Sequence, residues 1–121
     1  MAGTFCVNIK HCQDDGDKAT IGFVVANAAL GSEKKTTVFL SSEGVYCAVK
    51  GEYEKVVEDA PFAPLKELVD KFMAAGGEIL VCAPCMKKRS IAEDQLIEGA
   101  RPAGGATLVE ILSDGTPCVD Y

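Results

Sequence analysis

The sequence has little of what membrane-spanning and secreted proteins need. Its apolar runs fall well short of the roughly 20 residues that cross a bilayer, and no basic segment followed by an apolar stretch opens the chain. We therefore expect no membrane partner and a cytoplasmic location. Tryptophan is absent and histidine occurs once, so His11 is the one imidazole on which a metal site or an acid–base pair could draw.

Positive charge is also scarce. Twelve Lys and Arg residues stand against 18 Asp and Glu residues, for a net charge of −6, and the one dense basic cluster lies at residues 87–89. Because clustered basic side chains supply non-specific affinity for phosphates, nucleic acid is not expected as a partner. With 48% apolar residues, a chain of 121 residues suits a single domain, 1–121, that buries a core of its own.

Cysteine is the unusual component, although its content is too low for a disulfide scaffold, where it exceeds roughly 8–10%. The six residues are Cys6, Cys12, Cys47, Cys82, Cys85 and Cys118. In a cytosolic protein, thiols stay reduced, and such residues indicate redox, transfer or metal chemistry. Cys6, Cys47 and Cys118 are interpreted as packing or bystander thiols, because a single cysteine commonly serves as a small buried hydrophobe.

Apolar patterning predicts alternating strands and helices. Strands are expected at 4–10, 35–41, 78–82, 94–97 and 116–120. Helices are expected from Asp17 as N-cap to about residue 30, from Pro64 to Met73, after Cys82, and over 103–112. The stripe in the first helix is expected at Ile21, Val24, Val25 and Ala28. This order predicts an α/β fold with a mainly parallel sheet of about five strands and helices on both faces.

Chemically competent side chains follow three of these strands. Ligands of open parallel sheets bind at the carboxyl ends of the strands. The residues placed there are His11 and Cys12 after strand one, Ser42 and Glu43 after strand two, and Cys82 and Cys85 after strand three. The start of a helix after Cys82, together with the basic residues up to Arg89, is expected to favour the Cys82 thiolate.

The Cys82-x-x-Cys85 pair has three possible uses. A thioredoxin-type dithiol is disfavoured, because too few residues follow Cys85 for the rest of such a core. A zinc site would need Cys12 and His11 as further ligands, and the sequence has neither a second CxxC nor a paired-histidine spacing. The third use is covalent transfer, with Cys82 carrying a sulfur atom as a persulfide and Cys85 resolving or protecting it.

An ordered set of segments resembles the DsrE/DsrF-like family. The segments are 19–30 (ATIGFVVANAAL), 37–45 (TVFLSSEGV), 64–68 (PLKEL), 79–85 (ILVCAPC) with Arg89 behind it, and 107–110 (TLVE). The resemblance implies a three-layer α/β/α domain, flavodoxin-like in general architecture, that assembles as trimers or hexamers. It also implies sulfur relay, in which a cysteine at a strand end carries persulfide sulfur between proteins. Cys82 matches that cysteine, and the family's Arg-Gly pair reads Arg89-Ser90 here.

The resulting hypothesis is a cytoplasmic, homo-oligomeric carrier that accepts sulfane sulfur on Cys82 and passes it to a protein partner. Cys85, additional to the relay subunits and typical of single-gene members, is the auxiliary thiol. Ser42 and Glu43 shape the pocket, Arg89 holds the thiolate, and His11 and Cys12 lie at the edge of the site. No cofactor and no metal are expected. The alternatives are a non-catalytic binding or assembly module, and a thiol-redox or metal-binding protein that uses Cys82 and Cys85.

Overall fold

A computed structural model describes residues 3–121 and arranges their strands as one parallel sheet. The strands are β1 (Gly3–Ile9), β2 (Lys34–Leu40), β3 (Glu78–Cys82), β4 (Arg101–Ala103) and β5 (Cys118–Asp120), in the spatial order β4-β3-β2-β1-β5. The helices are α1 (Gly16–Gly31), α2 (Leu65–Ala74), α3 (Ala83–Lys88) and α4 (Gly105–Ser113). All four strand pairings are parallel, which confirms the predicted α/β class.

One face of the sheet carries the main core. Alternation along the strands places Val7, Val38 and Ile79 side by side in register, and Ile9, Leu40 and Val81 in the next row. All six are fully buried beneath α1 and α2. The two helices meet through Phe23 and Phe72, whose rings lie 5.9 Å apart in an edge-to-face arrangement.

The opposite face holds a second buried layer. Cys6, Phe39 and Leu80 point away from the main core and are buried. Helix α4 lies over this face, where Ile111 borders a hollow that Thr4 and Thr37 also line. The sheet therefore has helices on both faces, as the element order predicts. None of the helices within residues 3–121 combines the length and apolar character that crossing a bilayer requires.

The predicted strand at 94–97 is wrong. That segment forms a 3₁₀ turn, Glu93–Gln95, followed by Leu96 and Ile97, which are buried in the main core. Its apolar pattern reflects this burial and not pairing within the sheet. The edge strand is instead β4, where Pro102 is tolerated because an edge residue does not need to donate to a second neighbour.

The start of α1 lies earlier than predicted. Asp15, and not Asp17, is the N-cap, and its Oδ1 accepts a hydrogen bond of 3.1 Å from the backbone N–H of Lys18. Asp17 lies inside the first turn, where its charge complements the helix dipole. Asp15 and Asp17 both fit the sequence pattern of an N-cap, and the path of the turn before the helix makes Asp15 the cap.

The buried stripe of α1 also differs from the prediction. Ala19, Gly22, Phe23 and Ala26 are buried, whereas Val24 is 39% exposed. A Cβ at Gly22 would lie 2.6 Å from Cδ1 of Ile9, so the missing side chain lets the helix approach the sheet closely. The small residues therefore face the sheet. Val24, expected inside, turns towards the surface, whereas Val25 is partly buried against the core.

Candidate functional site

The carboxyl ends of β2 and β3 lie next to each other and carry the candidate site. Leu40 pairs with Val81, so the residues that follow each strand emerge side by side. Cys82 ends β3 and is the N-cap of α3, and a proline in the first turn of this helix suits its start, where the missing N–H is not needed. Cys82 and Cys85 are free thiols and are both partly exposed.

A main-chain group from the neighbouring loop contacts the second thiol. The 3₁₀ segment Ser42–Ala48 follows β2, and the backbone N–H of Ser42 donates to Sγ of Cys85 at 3.3 Å. Ser42 adopts a left-handed conformation with φ of 53°. A Cβ at Gly44 would overlap the carbonyl oxygen of Ile9, so glycine is what allows this segment to lie against the end of β1.

The pKa values of the two thiols are shifted in opposite directions. Burial raises the pKa of Cys82 above its ordinary value of 9.0, and the hydrogen bond with the Cys85 thiol adds to the rise. Burial also acts to raise the pKa of Cys85, but the hydrogen bonds from the Cys82 thiol and the Ser42 N–H, with the charges of Arg89 and Lys88, outweigh it, and its pKa is lowered. The expectation that Cys82 has the favoured thiolate is therefore not met: of the two thiols, Cys85 is the one whose pKa is lowered.

Arg89 connects this thiol pair to the loop after β2. Its Nε donates to Oε2 of Glu43 at 2.9 Å, and its Nη1 donates to the carbonyl oxygen of Cys85 at 3.3 Å. The Arg89 side chain is only 16% exposed, whereas that of Glu43 is 44% exposed. The structure thus brings together five of the predicted residues: Ser42, Glu43, Cys82, Cys85 and Arg89.

The position after Arg89 keeps a glycine-like conformation without a glycine. Ser90 has a φ of 55°, in the left-handed region that costs an ordinary L-residue roughly 1–2 kcal/mol. The tight turn that the family's Arg-Gly pair implies is therefore present, although the residue is serine.

His11 and Cys12 make their contacts elsewhere. Nδ1 of His11 lies 2.7 Å from Oδ2 of Asp14, whose Oδ1 accepts a 2.9 Å hydrogen bond from the backbone N–H of Cys12. Burial acts to raise the pKa of Asp14, yet these hydrogen bonds lower it. The Cys47 thiol donates to the carbonyl oxygen of His11 at 3.4 Å, and a hydrogen bond with the buried Cys12 thiol raises the pKa of Cys47.

The remaining two cysteines also form a pair. Cys6 and Cys118 are register partners in β1 and β5. Burial raises the pKa of Cys6 to about 12, and the Cys118 thiol contributes to the rise. Cys6 and Cys47 are buried, as expected of packing thiols, whereas Cys118 is exposed, which leaves only the bystander interpretation for that residue.

The described residues, 3–121, contain no group of three or more His, Cys, Asp and Glu side chains arranged to hold a metal ion. The four ligands of the zinc alternative make different contacts, because Cys85 accepts a hydrogen bond from Ser42 while the hydrogen bonds of His11 and Cys12 lead to Asp14. The arrangement at the end of β3 combines a thiol of lowered pKa with a hydrogen-bond donor and a cation, which are the surroundings that favour a nucleophilic sulfur.

Sequence reasoning identifies Ser42 as a site residue but misses how it acts. The contact to Cys85 comes from its main-chain N–H, which every residue except proline possesses. The available signal is the glycine two positions later, since Gly44 after a buried strand indicates a close backbone approach. Asp14, the partner of His11, is not among the predicted site residues.

The fold and the site together define a three-layer α/β protein with a paired thiol at the carboxyl end of a central strand. The sequence profile of the DsrE/DsrF-like family matches residues 5–119. The chain therefore belongs to the DsrE/DsrF-like family.

Similar sequences occur in archaea. The uncharacterized protein MJ0760 of Methanocaldococcus jannaschii is 36% identical over 99 residues, which cover 82% of this chain. The chain spans only 36% of the length of that protein. MJ0989 of the same organism is 28% identical over 117 residues, which cover 97% of this chain and 98% of MJ0989.

Solved structures share the fold at low sequence identity. The YchN protein of E. coli superposes on this chain with a TM-score of 0.77 at 15% identity. The superposition covers 98% of this chain and 99% of the YchN chain. MTH1491 of Methanobacterium thermoautotrophicum, a protein of unknown function, has a TM-score of 0.67 at 13% identity, with coverage of 99% and 98%. These likenesses confirm the five-stranded architecture.

Proposed function

We propose that this protein is a sulfur-relay protein that accepts sulfane sulfur at the Cys82–Cys85 pair, carries it as a persulfide on Cys82, and passes it to a protein partner. The observation that carries the proposal is the pair of free, partly exposed thiols at the end of β3, of which Cys85 accepts a hydrogen bond from the Ser42 N–H. Family membership supports it, because sulfur relay is what the DsrE/DsrF-like resemblance implies.

The chemistry of loading is a thiol–disulfide type of exchange. A thiolate of the pair attacks the outer sulfur of a donor persulfide, a new S–S bond forms, and the donor leaves as a thiolate. The sulfane sulfur keeps its oxidation state, so the step needs no external oxidant or reductant. Delivery is the same reaction in reverse, with a thiolate of the partner as the attacking group. The Arg89 guanidinium, hydrogen-bonded to the Cys85 carbonyl, provides positive charge where the sulfur anions gather.

Homo-oligomerisation in the cytoplasm belongs to the same proposal. Two exposed apolar side chains three positions apart on α4 support it: Val109, which is 63% exposed, and Leu112. Apolar side chains on helix surfaces suit contacts with further copies of the chain or with the protein that supplies or receives the sulfur. Light scattering coupled to gel filtration measures the oligomer, and we expect a trimer or hexamer.

Persulfide loading tests the proposed function directly. The reduced protein is incubated with glutathione persulfide, and intact-mass and peptide mass spectrometry locate the adduct. We expect the gain of one sulfur atom on the peptide that contains Cys82 and Cys85, and its loss in the Cys82→Ser/Cys85→Ser double variant. Cys118→Ser is the matched control, because it removes an exposed thiol outside the site and should leave loading unchanged.

Other outcomes favour the alternatives. A wild-type protein that gains no sulfur contradicts the relay and favours a binding or assembly module. If the donor produces only a Cys82–Cys85 disulfide, the pair is a redox dithiol, which the proximity of the two thiols also permits. Elemental analysis of protein purified without chelator tests the metal-binding alternative.

A further inference from the structure

We infer, on the basis of the proposed sulfur relay, that Cys85 is the residue that takes sulfur from the donor and that Cys82 receives it from Cys85 in a second step. The role thus given to Cys85 exceeds that of an auxiliary thiol. It rests on the geometry around the two sulfur atoms, which gives them different surroundings although they lie in the same short turn of the chain.

The Ser42 loop is built towards Cys85. The backbone N–H of Ser42 reaches Sγ of Cys85 at 3.3 Å, across 43 positions of sequence. Ser42 holds a φ of 53° while making this contact, and the glycine at position 44 lets the loop lie against Ile9. A main-chain N–H aimed at a sulfur atom stabilises an anion there, in the manner of an oxyanion-hole donor.

Charge and protonation agree with this geometry. Arg89 donates to the main-chain carbonyl of Cys85, which holds its guanidinium beside the Cys82–Cys85 turn. The Cys82 thiol hydrogen-bonds to Cys85, and the pKa of Cys82 is raised while that of Cys85 is lowered. Of the two thiols, Cys85 is therefore the one more readily deprotonated, and with the Ser42 N–H on its sulfur it enters the reaction as the nucleophile.

Both steps balance within the pair and the donor. In the first, the Cys85 thiolate attacks the outer sulfur of a persulfide R–S–SH, which gives Cys85–S–SH and the thiolate of R. In the second, the Cys82 sulfur attacks that outer sulfur, the Cys85–sulfur bond breaks, and the Cys82 proton passes to the departing Cys85. The products are Cys82–S–SH and Cys85–SH. The departing Cys85 sulfur meets the same Ser42 N–H that activated it at the start.

Single-serine variants separate the two roles. Loading by glutathione persulfide is quenched with acid at short times, and the initial rate is measured by mass spectrometry at neutral pH. We expect Cys85→Ser to slow loading at least tenfold. We expect Cys82→Ser to keep the wild-type initial rate and to hold the sulfur on Cys85, because a serine hydroxyl can still donate a hydrogen bond to that thiolate.

The outcomes distinguish this inference from the proposed function. If the wild type loads and Cys85→Ser keeps more than half of the initial rate, the inference is overturned and the relay stands. If Cys82→Ser loses the wild-type initial rate of loading, the order in which the two residues receive sulfur is reversed, which also overturns the inference. If the wild type does not load at all, the relay and the inference both fail.

Alkylation supplies a readout that is independent of sulfur chemistry. In Cys82→Ser, the rate of reaction of Cys85 with iodoacetamide should rise with pH around a midpoint below 9.0, the ordinary thiol value. In Cys85→Ser, the midpoint of Cys82 should not fall below that value. Cys118→Ser in the same background is the matched control, because it removes an exposed thiol outside the site, so it should leave the Cys85 midpoint in place. A Cys85 midpoint at or above that of Cys82 contradicts the inference.

Discussion

Arg89 and Glu43 form an ion pair with an Nε–Oε2 distance of 2.9 Å, which ties the end of α3 to the loop after β2. The same guanidinium donates to the Cys85 carbonyl oxygen. Because Glu43 is the more exposed partner, the positive charge is the more enclosed of the two. The pair therefore sets both the position and the electrostatic environment of the neighbouring thiolate.

Substitutions at these two positions should shift the Cys85 pKa in opposite directions. Arg89→Gln removes a cation that favours the thiolate, so the Cys85 pKa should rise and alkylation at pH 7 should slow. Glu43→Gln removes the compensating anion, so the pKa should fall and alkylation should accelerate. The pH profile of iodoacetamide labelling in a Cys82→Ser background measures both. Shifts of the same sign in the two variants would contradict this account.

Gly44 should be intolerant of substitution. In Gly44→Ala the added Cβ overlaps the main-chain carbonyl of Ile9, and because backbone cannot move aside easily, the free energy of unfolding should fall by about 1–3 kcal/mol. Gly31→Ala is the matched control: no atom lies within 4 Å of the added Cβ at the end of α1, and alanine should stabilise the helix by up to about 1 kcal/mol. Urea unfolding at a fixed protein concentration measures the change in unfolding free energy of both variants, and equal changes would refute the prediction.

The two aspartates at the start of α1 should differ in their effect on stability. Asp15→Ala removes the N-cap hydrogen bond to Lys18 and should cost about 1 kcal/mol of unfolding free energy. Asp17→Ala removes only a charge in the first turn, which should cost less, at about 0.3–1 kcal/mol. Thermal unfolding of the two variants in parallel measures the difference. A larger loss of unfolding free energy in Asp17→Ala than in Asp15→Ala would indicate that Asp17 is the cap.

Replacing Ser90 by glycine should stabilise the protein. Ser90→Gly relieves a left-handed φ of 55°, a cost of roughly 1–2 kcal/mol, against a smaller entropic loss of about 0.5–1 kcal/mol for a glycine. The expected net gain is on the order of 0.5 kcal/mol or more. Ser90→Ala keeps the strain and serves as the control in the same denaturant titration. A Ser90→Gly variant that is less stable than wild type would contradict the strain argument.

The sequence predicts most of the sheet because buried parallel strands have a strong apolar signal. The bounds predicted for β3 agree with the structure, and those of β1 and β2 agree within one residue. The edge strand β4 was not found, because three residues that include a proline carry little periodicity. Helix α1 is rich in apolar residues, so its sequence is compatible with more than one buried face. The close approach of Gly22 to Ile9 determines which face is buried, and hydrophobicity alone does not reveal it.

The position of the site could be predicted from the sequence, but the order of the two cysteine pKa values could not. The rule that ligands gather at the carboxyl ends of parallel strands places Cys82 and Cys85 beside Ser42, and the structure brings them together. The order of their pKa values depends on the interaction between the two thiols and on which sulfur meets the Ser42 N–H. That contact is set by the backbone path of another loop, which residue types do not specify.

The Ser42 hydrogen bond also affects how relatives should be compared. A donor that belongs to the main chain survives every side-chain replacement except proline, so variation at position 42 is compatible with an intact site. The informative column of an alignment is the one at Gly44, where a side chain would push the loop off β1. Homologues that keep a glycine there and cysteines at both thiol positions can preserve this sulfur-activating geometry even when the residue that supplies the N–H has diverged.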